Sequence, residues 1–394
     1  MTHPNATDPP DATDPLDVAV NLTWCLPGAV GGSEQYLARQ LHGVTEGRAH
    51  PDLDLTVYAP RGYGEAHPDL ASTVPIIPAP RGGRRRVARV VAEHTWLARR
   101  VRSADVVHHG GGTMPSVGAG RSTVLTIHDL QYLTHPEYFS RVKLGYLRAV
   151  VPRSARRADI VTVPSAYVRS TVAERLGLGF ERIRVVPHGL EPGLGVGAVD
   201  PAALDERFGP FGDGPLLVYP AVTHPHKGHR LLLAALARLV ERPGFDDTRL
   251  VLIGGVGTAE DAMLRAVEHH SLGGHVIRTG RVTDAERDGL VQLADLLVFP
   301  SEYEGFGAPV IEAMALGTPV GSSDQPALVE VVGGAAVVAH RDPDAWVAAI
   351  EQAIGRSDEL RRRGLDRAAA FTSAVSGAAI ADAYRDAAAT GRRS

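Results

Sequence analysis

Residues 299–320 read FPSEYEGFGAPVIEAMALGTPV, and the order of residue types in this stretch decides the fold. The apolar run Leu296, Leu297, Val298, Phe299 is a buried strand that Pro300 stops. Gly305 and Gly307 then let the backbone turn without a Cβ penalty. Pro309 suits the first position of a helix, where no N–H is missed, and Gly317 suits the left-handed residue that closes it about two turns later. Val320 opens another strand. A strand, a glycine loop and a helix in this order imply a parallel sheet, with the loop at its carboxyl edge.

That geometry has a chemical consequence. The first amides of a helix have no internal partner, and the macrodipole makes this end attractive to anions. Glu312, one turn in, leans back toward the mouth, where Glu304 stands in the loop. Carboxylates accept hydrogen bonds from sugar or ribose hydroxyls, and amides face oxygens that carry charge, so a phosphorylated, polyhydroxylated ligand fits. Taken alone, Glu304 reads first as a solvated loop acid and Glu312 as a first-turn acid complementing the dipole. Their combination with Gly-Phe-Gly and proline favours the ligand.

At 394 residues, 44% hydrophobic, with a net charge of −4, the chain suits two globular domains and shows no overall pull toward nucleic acid. The single cysteine, Cys25, excludes an internal disulfide framework. The start does not follow a signal peptide's basic-then-apolar order, and no apolar run approaches the roughly 18 residues of a membrane span, so a cytoplasmic address is expected.

Working outward, residues 1–15, rich in Pro, Asp and Thr, read as a disordered tail. Asp17 to Trp24 is a first strand, followed by Gly28, Gly31 and Gly32 and by a helix that Ser33 caps, with Tyr36, Leu37 and Leu41 on one face. Strands at Leu53 to Ala59, Asp105 to His108, Thr123 to His128 and Ile160 to Val163 alternate with helices such as Val142 to Arg157. Between Arg81 and Arg102 lies a basic amphipathic helix with Val87, Val90, Val91, Trp96 and Leu97 as its apolar contacts. It reads either as a solvated face or as a docking face for anionic lipid or a phosphorylated acceptor. The run from Arg182 to Pro201 loses periodicity and gains Gly and Pro, as a linker does. A second alternating series follows, with strands at Leu216 to Tyr219, Leu250 to Gly254 and Val276 to Thr279. Its helices lie from about Gly228 to Val240, from Thr258, and near Asp284 to Leu293. Asp342 and Pro343 open a helix carrying Trp346, and a final helix spans about Ser373 to Ala389. His128, at a strand end, reads by itself first as a structural histidine bonded to neighbouring backbone. His224, His226 and His229 lack the further ligands that a zinc site needs. No metal site is expected.

The segment EGFGAPVIE, flanked by PS and by EAMALGTPV, resembles the Glu-x7-Glu motif of the retaining family 4 glycosyltransferases. TIHDLQYLTHPEYFS resembles that family's His-Asp region, and Gly31-Gly32 and Lys227 fall where it carries a Gly-Gly pair and a lysine. The resemblance implies α/β architecture of the GT-B kind, two Rossmann-like doubly wound domains facing across a cleft. Residues 16–190 would form the acceptor domain, 191–213 the linker, 214–372 the nucleotide-sugar donor domain, and helix 373–394 would cross back onto the first.

By the same resemblance Glu312 holds the ribose, while Glu304 and the backbone of Phe306, Gly307 and Ala308 hold the transferred sugar and face the diphosphate. His128 reaches the sugar, with Asp129 beside it, and Lys227 meets the diphosphate. Gly31 and Gly32 line the cleft, and Gly254, Gly255, Gly280, Arg281 and Val282 pass beneath nucleotide and base. The family usually adds an arginine five residues before the lysine, where this chain has Val222; His226, another arginine or the amides must then assist. The implied reaction moves a hexosyl unit, mannosyl first, from GDP-mannose or a UDP-hexose to a saccharide, lipid-linked or small-molecule acceptor, without metal or cofactor. A sugar-nucleotide epimerase or phosphorylase on the same frame, or a non-catalytic nucleotide-sugar binding protein, are the alternatives.

Overall fold

The computed structural model describes residues 14–29, 31–80, 86–115 and 122–391, without the side chains of Arg86 and Val87. Two parallel sheets organise the chain. The first contains β1 (Leu16–Asn21), β2 (Leu53–Ala59), β3 (Ile76–Pro78), β4 (Val106–His109), β5 (Ser122–Thr126), β6 (Ile160–Val163) and β7 (Ile183–Val185), in the order β3-β2-β1-β4-β5-β6-β7. The second contains β8 (Leu216–Pro220), β9 (Arg249–Ile253), β10 (Val276–Gly280), β11 (Leu296–Phe299), β12 (Val320–Ser323) and β13 (Val337–Ala339), in the order β10-β9-β8-β11-β12-β13. Helices cover both faces, so β4, β5, β11 and β12 are buried along their whole length rather than alternately, the polar His108, His109 and Thr126 included. Strand order reverses between β1 and β4 in one sheet and between β8 and β11 in the other. Crevices at such reversals, beyond the carboxyl ends of the strands, are where doubly wound sheets bind ligands.

Each sheet has its own core. Leu217, Val218, Leu236, Leu297 and Trp346 belong to the second. In the first, Val18, Val20, Leu37 and Leu41 pack with Ile380 and Tyr384 from the Ser373–Gly391 helix, so that late element completes the first domain. Its backbone touches the Gly32–Thr45 helix: a Cβ on Gly377 would stand 2.2 Å from the carbonyl carbon of Gly43. His108 in β4 bridges the Tyr384 hydroxyl (2.9 Å) and Thr126 Oγ1 (2.7 Å), tying helix to sheet.

Several expectations change. Ser33 does not cap its helix, which begins at Gly32 with Gly31 at the N-cap and no side-chain bond there. β5 ends at Thr126, two residues short of His128. Lys227 closes a 3₁₀ turn, Pro225–Lys227, and the helix His229–Leu239 starts only after a left-handed Gly228. The second helix of the second series begins at Glu260 rather than Thr258. Residues 191–213 are not all linker. Asp200 accepts from the amides of Ala202 (3.0 Å) and Ala203 (3.1 Å), starting the Pro201–Phe208 helix, whose buried Leu204 joins the second core. Ile183–Val185, at the front of the irregular run, pairs with β6 as an edge strand.

Of the stretch read as a tail, residues 1–13 lie outside the described residues, as do 81–85 of the basic segment. From Arg86–Ala92 that segment continues through a π-helical turn, Glu93–Leu97, into Ala98–Arg100. The extra residue of a π turn rotates the face, so a single 3.6-residue stripe does not hold across it. Trp96 packs on Tyr58 with ring centroids 5.8 Å apart, whereas Val91, expected as a contact, is 55% exposed. Among the described residues no helix is long and apolar enough to cross a membrane.

Candidate active site

At the reversal of the second sheet, β8 leads to Lys227 and β11 to Glu304, and the two side chains meet. Lys227 Nζ donates to Glu304 Oε1 at 2.6 Å, with side-chain exposures of only 19% and 13%. Neighbours fix both loops. Tyr219 in β8 donates its hydroxyl to the Lys227 carbonyl (2.6 Å), and Gln325 Nε2 donates to the Glu304 carbonyl (3.1 Å). Gly307, left-handed at φ 93°, precedes the Ala308–Ala315 helix and gives it no side-chain cap; Pro309 has no N–H and the Val310 amide donates to the Gly307 carbonyl (3.0 Å), so the Ala308 amide is the one the first turn can offer a ligand. Phe306 itself is buried, stacked on His188 at 4.6 Å, which stacks on Tyr36 at 4.3 Å. Its side chain therefore packs between the domains, and only its backbone is available for binding.

Glu312, one turn into the helix, does not share a partner with Glu304. It accepts from Arg39 Nη1 at 2.7 Å, and Arg39, in the Gly32–Thr45 helix, also pairs with Glu191 at 3.0 Å. Burial disfavours the charge on Arg39, but the two carboxylates outweigh it and raise its pKa. Arg287 is raised in the same way, against burial, chiefly by Glu312 and then Asp288. Sequence reasoning missed Arg39. Its one signal was position, three residues after Tyr36 and thus on the inward face.

At the reversal of the first sheet, Gly31 and Gly32 open the helix with empty space where a Cβ would be. His128 Nε2 lies 2.9 Å from the Gly110 carbonyl. A carbonyl only accepts, so this nitrogen carries the proton and Nδ1 is the acceptor. Burial lowers the His128 pKa to about 4, against the Gly110 bond, so the ring is neutral at pH 7. Asp129 opens to the cleft with protein crowded around it. That loss of solvent raises its carboxyl, the Gln131 amide opposes the rise, and the charge of Glu304 adds to it. The two reversals face each other: a Cβ on Gly305 would stand 2.3 Å from the His128 carbonyl, an approach open only to glycine.

Around the remaining edge, Gly254 has φ 135° and a Cβ there would meet the Ala221 carbonyl at 2.6 Å, so loop packing alone demands glycine. Arg278 donates to the Gly254 (2.7 Å) and Gly255 (3.2 Å) carbonyls and pairs with Glu260 at 3.0 Å, holding this loop. Arg281 lies against Gly255 and reaches the Gly28 carbonyl of the first domain at 2.9 Å. Val282 packs on the second core. His226, weighed as a helper beside Val222, has its pKa lowered to about 3 by burial and then by Lys227. It is neutral at pH 7 and brings no second cation. Among the described residues no three His, Cys, Asp or Glu side chains gather as a metal set.

The model for glycosyl transferases group 1 matches residues 202–369, and that for glycosyltransferase family 4 matches residues 30–194. O-antigen chain mannosyltransferase B of Escherichia coli is 30% identical over 278 residues, 68% of this chain and 71% of that one. The chain is a family 4 glycosyltransferase. Another relative, the 2-deoxystreptamine glucosyltransferase of Streptomyces kanamyceticus, is 30% identical over 195 residues, 49% of this glycosyltransferase and 50% of that enzyme. Anabaena HepE, solved with UDP and glucose, superposes with a TM-score of 0.71 at 18% identity, over 93% of this chain and 98% of that one. WaaG, a glycosyltransferase of lipopolysaccharide biosynthesis, gives 0.68 at 17% identity over 92% and 98%. Two Rossmann-like domains facing across a cleft make the fold of the glycosyltransferase GT-B.

Proposed function

We propose that this glycosyltransferase moves a hexosyl unit, mannosyl first, from a nucleotide sugar to an acceptor hydroxyl, with retention of the anomeric configuration and without a metal ion. The observation that carries the reading is the Lys227–Glu304 pair at one sheet reversal, with the adjoining Gly305 pressed on His128 at the other. In this reading the ribose meets Glu312, the diphosphate meets Lys227 and the backbone of Gly307 and Ala308 at the mouth of the Ala308–Ala315 helix, and the sugar lies between Glu304 and His128. Charge on the departing diphosphate is met by preorganised donors, while the acceptor attacks from the same face. The Escherichia coli and Salmonella typhimurium O-antigen mannosyltransferases among its relatives favour GDP-mannose. The UDP and glucose bound to HepE make a UDP-hexose the second donor to try.

A thermal-shift screen of nucleotide sugars tests the donor, since a ligand at a hundred times its dissociation constant stabilises by about 2.7 kcal/mol. Transfer is then followed by the anomeric NMR signal of the product. Product with inverted configuration would refute the mechanism, and sugar released or isomerised with water as the sole acceptor would favour the epimerase or phosphorylase reading. Loss of activity in EDTA, restored by magnesium or manganese, would refute metal independence. Glu312→Ala should weaken donor binding, and Glu304→Ala should lower turnover more than affinity.

The proposal includes work on the cytoplasmic face of a membrane with peripheral contact through residues 81–102. Arg99 and Arg100 there are exposed, and the Arg141–Arg157 helix of the same domain carries six basic residues and no acid. Each such cation contributes about 1 kcal/mol near an anionic surface. Arg99→Ser with Arg100→Ser should reduce flotation with anionic vesicles and leave transfer to a soluble acceptor unchanged.

A further inference from the structure

The Pro326–Val332 helix stands between the two domains, and both of its ends are engaged. At its start Gln325 caps it by accepting from the Leu328 amide (3.1 Å), and the same side chain donates to the Glu304 carbonyl (3.1 Å). Near its end Glu330 reaches into the first domain. Its two carboxylate oxygens accept from the amides of Ala166 (2.8 Å) and Tyr167 (2.9 Å), the opening residues of the Ala166–Leu176 helix. The cap of that second helix, Ser165, accepts from the Val168 amide (3.2 Å) and donates to the Gly305 carbonyl (2.7 Å). The contacts form a closed ring: Glu304 to Gln325, along the helix to Glu330, across to Ala166, and through Ser165 back to Gly305.

We infer that Glu330 is a positioning residue for the Glu304–Gly307 loop, latching the two domains so that this loop is held against His128 when transfer occurs. Chemistry supports the assignment. A carboxylate at a helix N-terminus satisfies two otherwise unpaired amides and complements the dipole, and here it comes from the other domain, so the gain exists only when the domains are together. Tyr303 closes the same seam, accepting at its hydroxyl from the Leu130 amide at 3.2 Å. Arg367 holds the far end of the strut by donating to the carbonyls of Glu330 (2.8 Å) and Val331 (2.8 Å). The inference rests on the proposed placement of the sugar at Glu304, while the latch itself is a matter of domain geometry.

Two substitutions act on the two sides of the contact. Glu330→Gln keeps the shape but removes the charge and sets an NH₂ against a backbone N–H. Ala166→Pro deletes one of the accepted N–H groups at the first helical position, where proline is tolerated, and Ser165 at φ −150°, ψ 162° already has the extended backbone a following proline needs. Spin labels at Glu174→Cys and Asp344→Cys, both exposed and one in each domain, report the interdomain distance. Buried Cys25, its thiol pushed up to about 12 by burial, stays unlabelled.

Each variant is expected to lower kcat about tenfold, the scale of one charge-assisted bond, with donor dissociation constant within twofold of wild type and the distance distribution shifted outward. The double variant should match either single one, because both break one contact. An unchanged distribution, a kcat within twofold, or a donor affinity that falls in step with kcat would overturn the assignment. If the wild-type enzyme transferred no sugar, the functional reading would fail while the distances still decided the latch.

Discussion

Replacing Lys227 by methionine keeps the apolar stem and removes the ammonium, which makes it the sharpest test of where the leaving group sits. Two effects combine. If Lys227 is the principal side-chain cation on the diphosphate, its contact strengthens as the sugar bond breaks and charge moves onto the leaving oxygens. Loss of one such preorganised contact costs ~10²–10³ in turnover, about 2.7–4 kcal/mol. The second effect is internal: Glu304, 2.6 Å away and 13% exposed, loses its counter-charge. Pairs in contact couple by about 0.5–3 kcal/mol, so Lys227→Met and Glu304→Gln together should cost less than the sum of the two. The assay is single-turnover transfer at saturating donor, with donor affinity measured separately. Lys227→Arg should recover part of the loss, because a planar fork places its charge differently from a compact ammonium. Val222→Arg in the Lys227→Met background should also recover part, by returning a cation to the same loop. A Lys227→Met enzyme within twofold of wild type in turnover and affinity would mean the diphosphate lies elsewhere.

His108 and His109 have pKa values lowered to about 3 and about 4, in each case first by burial. Because the unfolded chain binds protons more readily, their contribution to stability is complete above about pH 6.5 and is lost as pH falls toward the folded values, at about 1.4 kcal/mol per pH unit each. The melting temperature should therefore drop between pH 6.5 and 4, and His108→Gln should flatten the profile; a melting temperature constant over that range would contradict the assignment. Gly377→Ala places a methyl 2.2 Å from the Gly43 backbone, which cannot rotate away. A destabilisation of ~1–3 kcal/mol is expected, with the last helix more open to protease; an unaltered melting temperature would show that the two helices do not touch.

The β11 strand, its glycine loop and the short helix after it were legible because each carries a local rule: an apolar run, a proline stop, a left-handed glycine. β2, seven residues long, and the four-residue β6, apolar or β-branched at every position, were legible for the same reason. β3, β7 and β13, three residues each, are too short to show a period, and the Pro201–Phe208 helix was hidden by the glycines before it. Within the site, Lys227 and Glu304 could be named separately, but not their pairing, which depends on β8 lying beside β11. Arg39 and Glu330 were illegible for a further reason. Each finds its partner in the other domain, more than a hundred residues away, where no spacing rule reaches.

The Ser373–Gly391 helix fills the first domain's core with Ile380 and Tyr384, yet it leaves the ribosome after the whole second domain. Between the emergence of β7 and that of this helix, translation of the intervening residues takes on the order of ten to forty seconds at bacterial or eukaryotic rates. During that interval the inward face of the Gly32–Thr45 helix lacks the cover of Ile380 and Tyr384, while the second domain, whose core is contiguous in sequence, is free to fold first. The core of the first domain is thus complete only once the second domain has been synthesised. Nascent chains stalled before Ser373 should present a sticky first half that binds holdase chaperones, and supplying residues 373–391 as a separate peptide should release it.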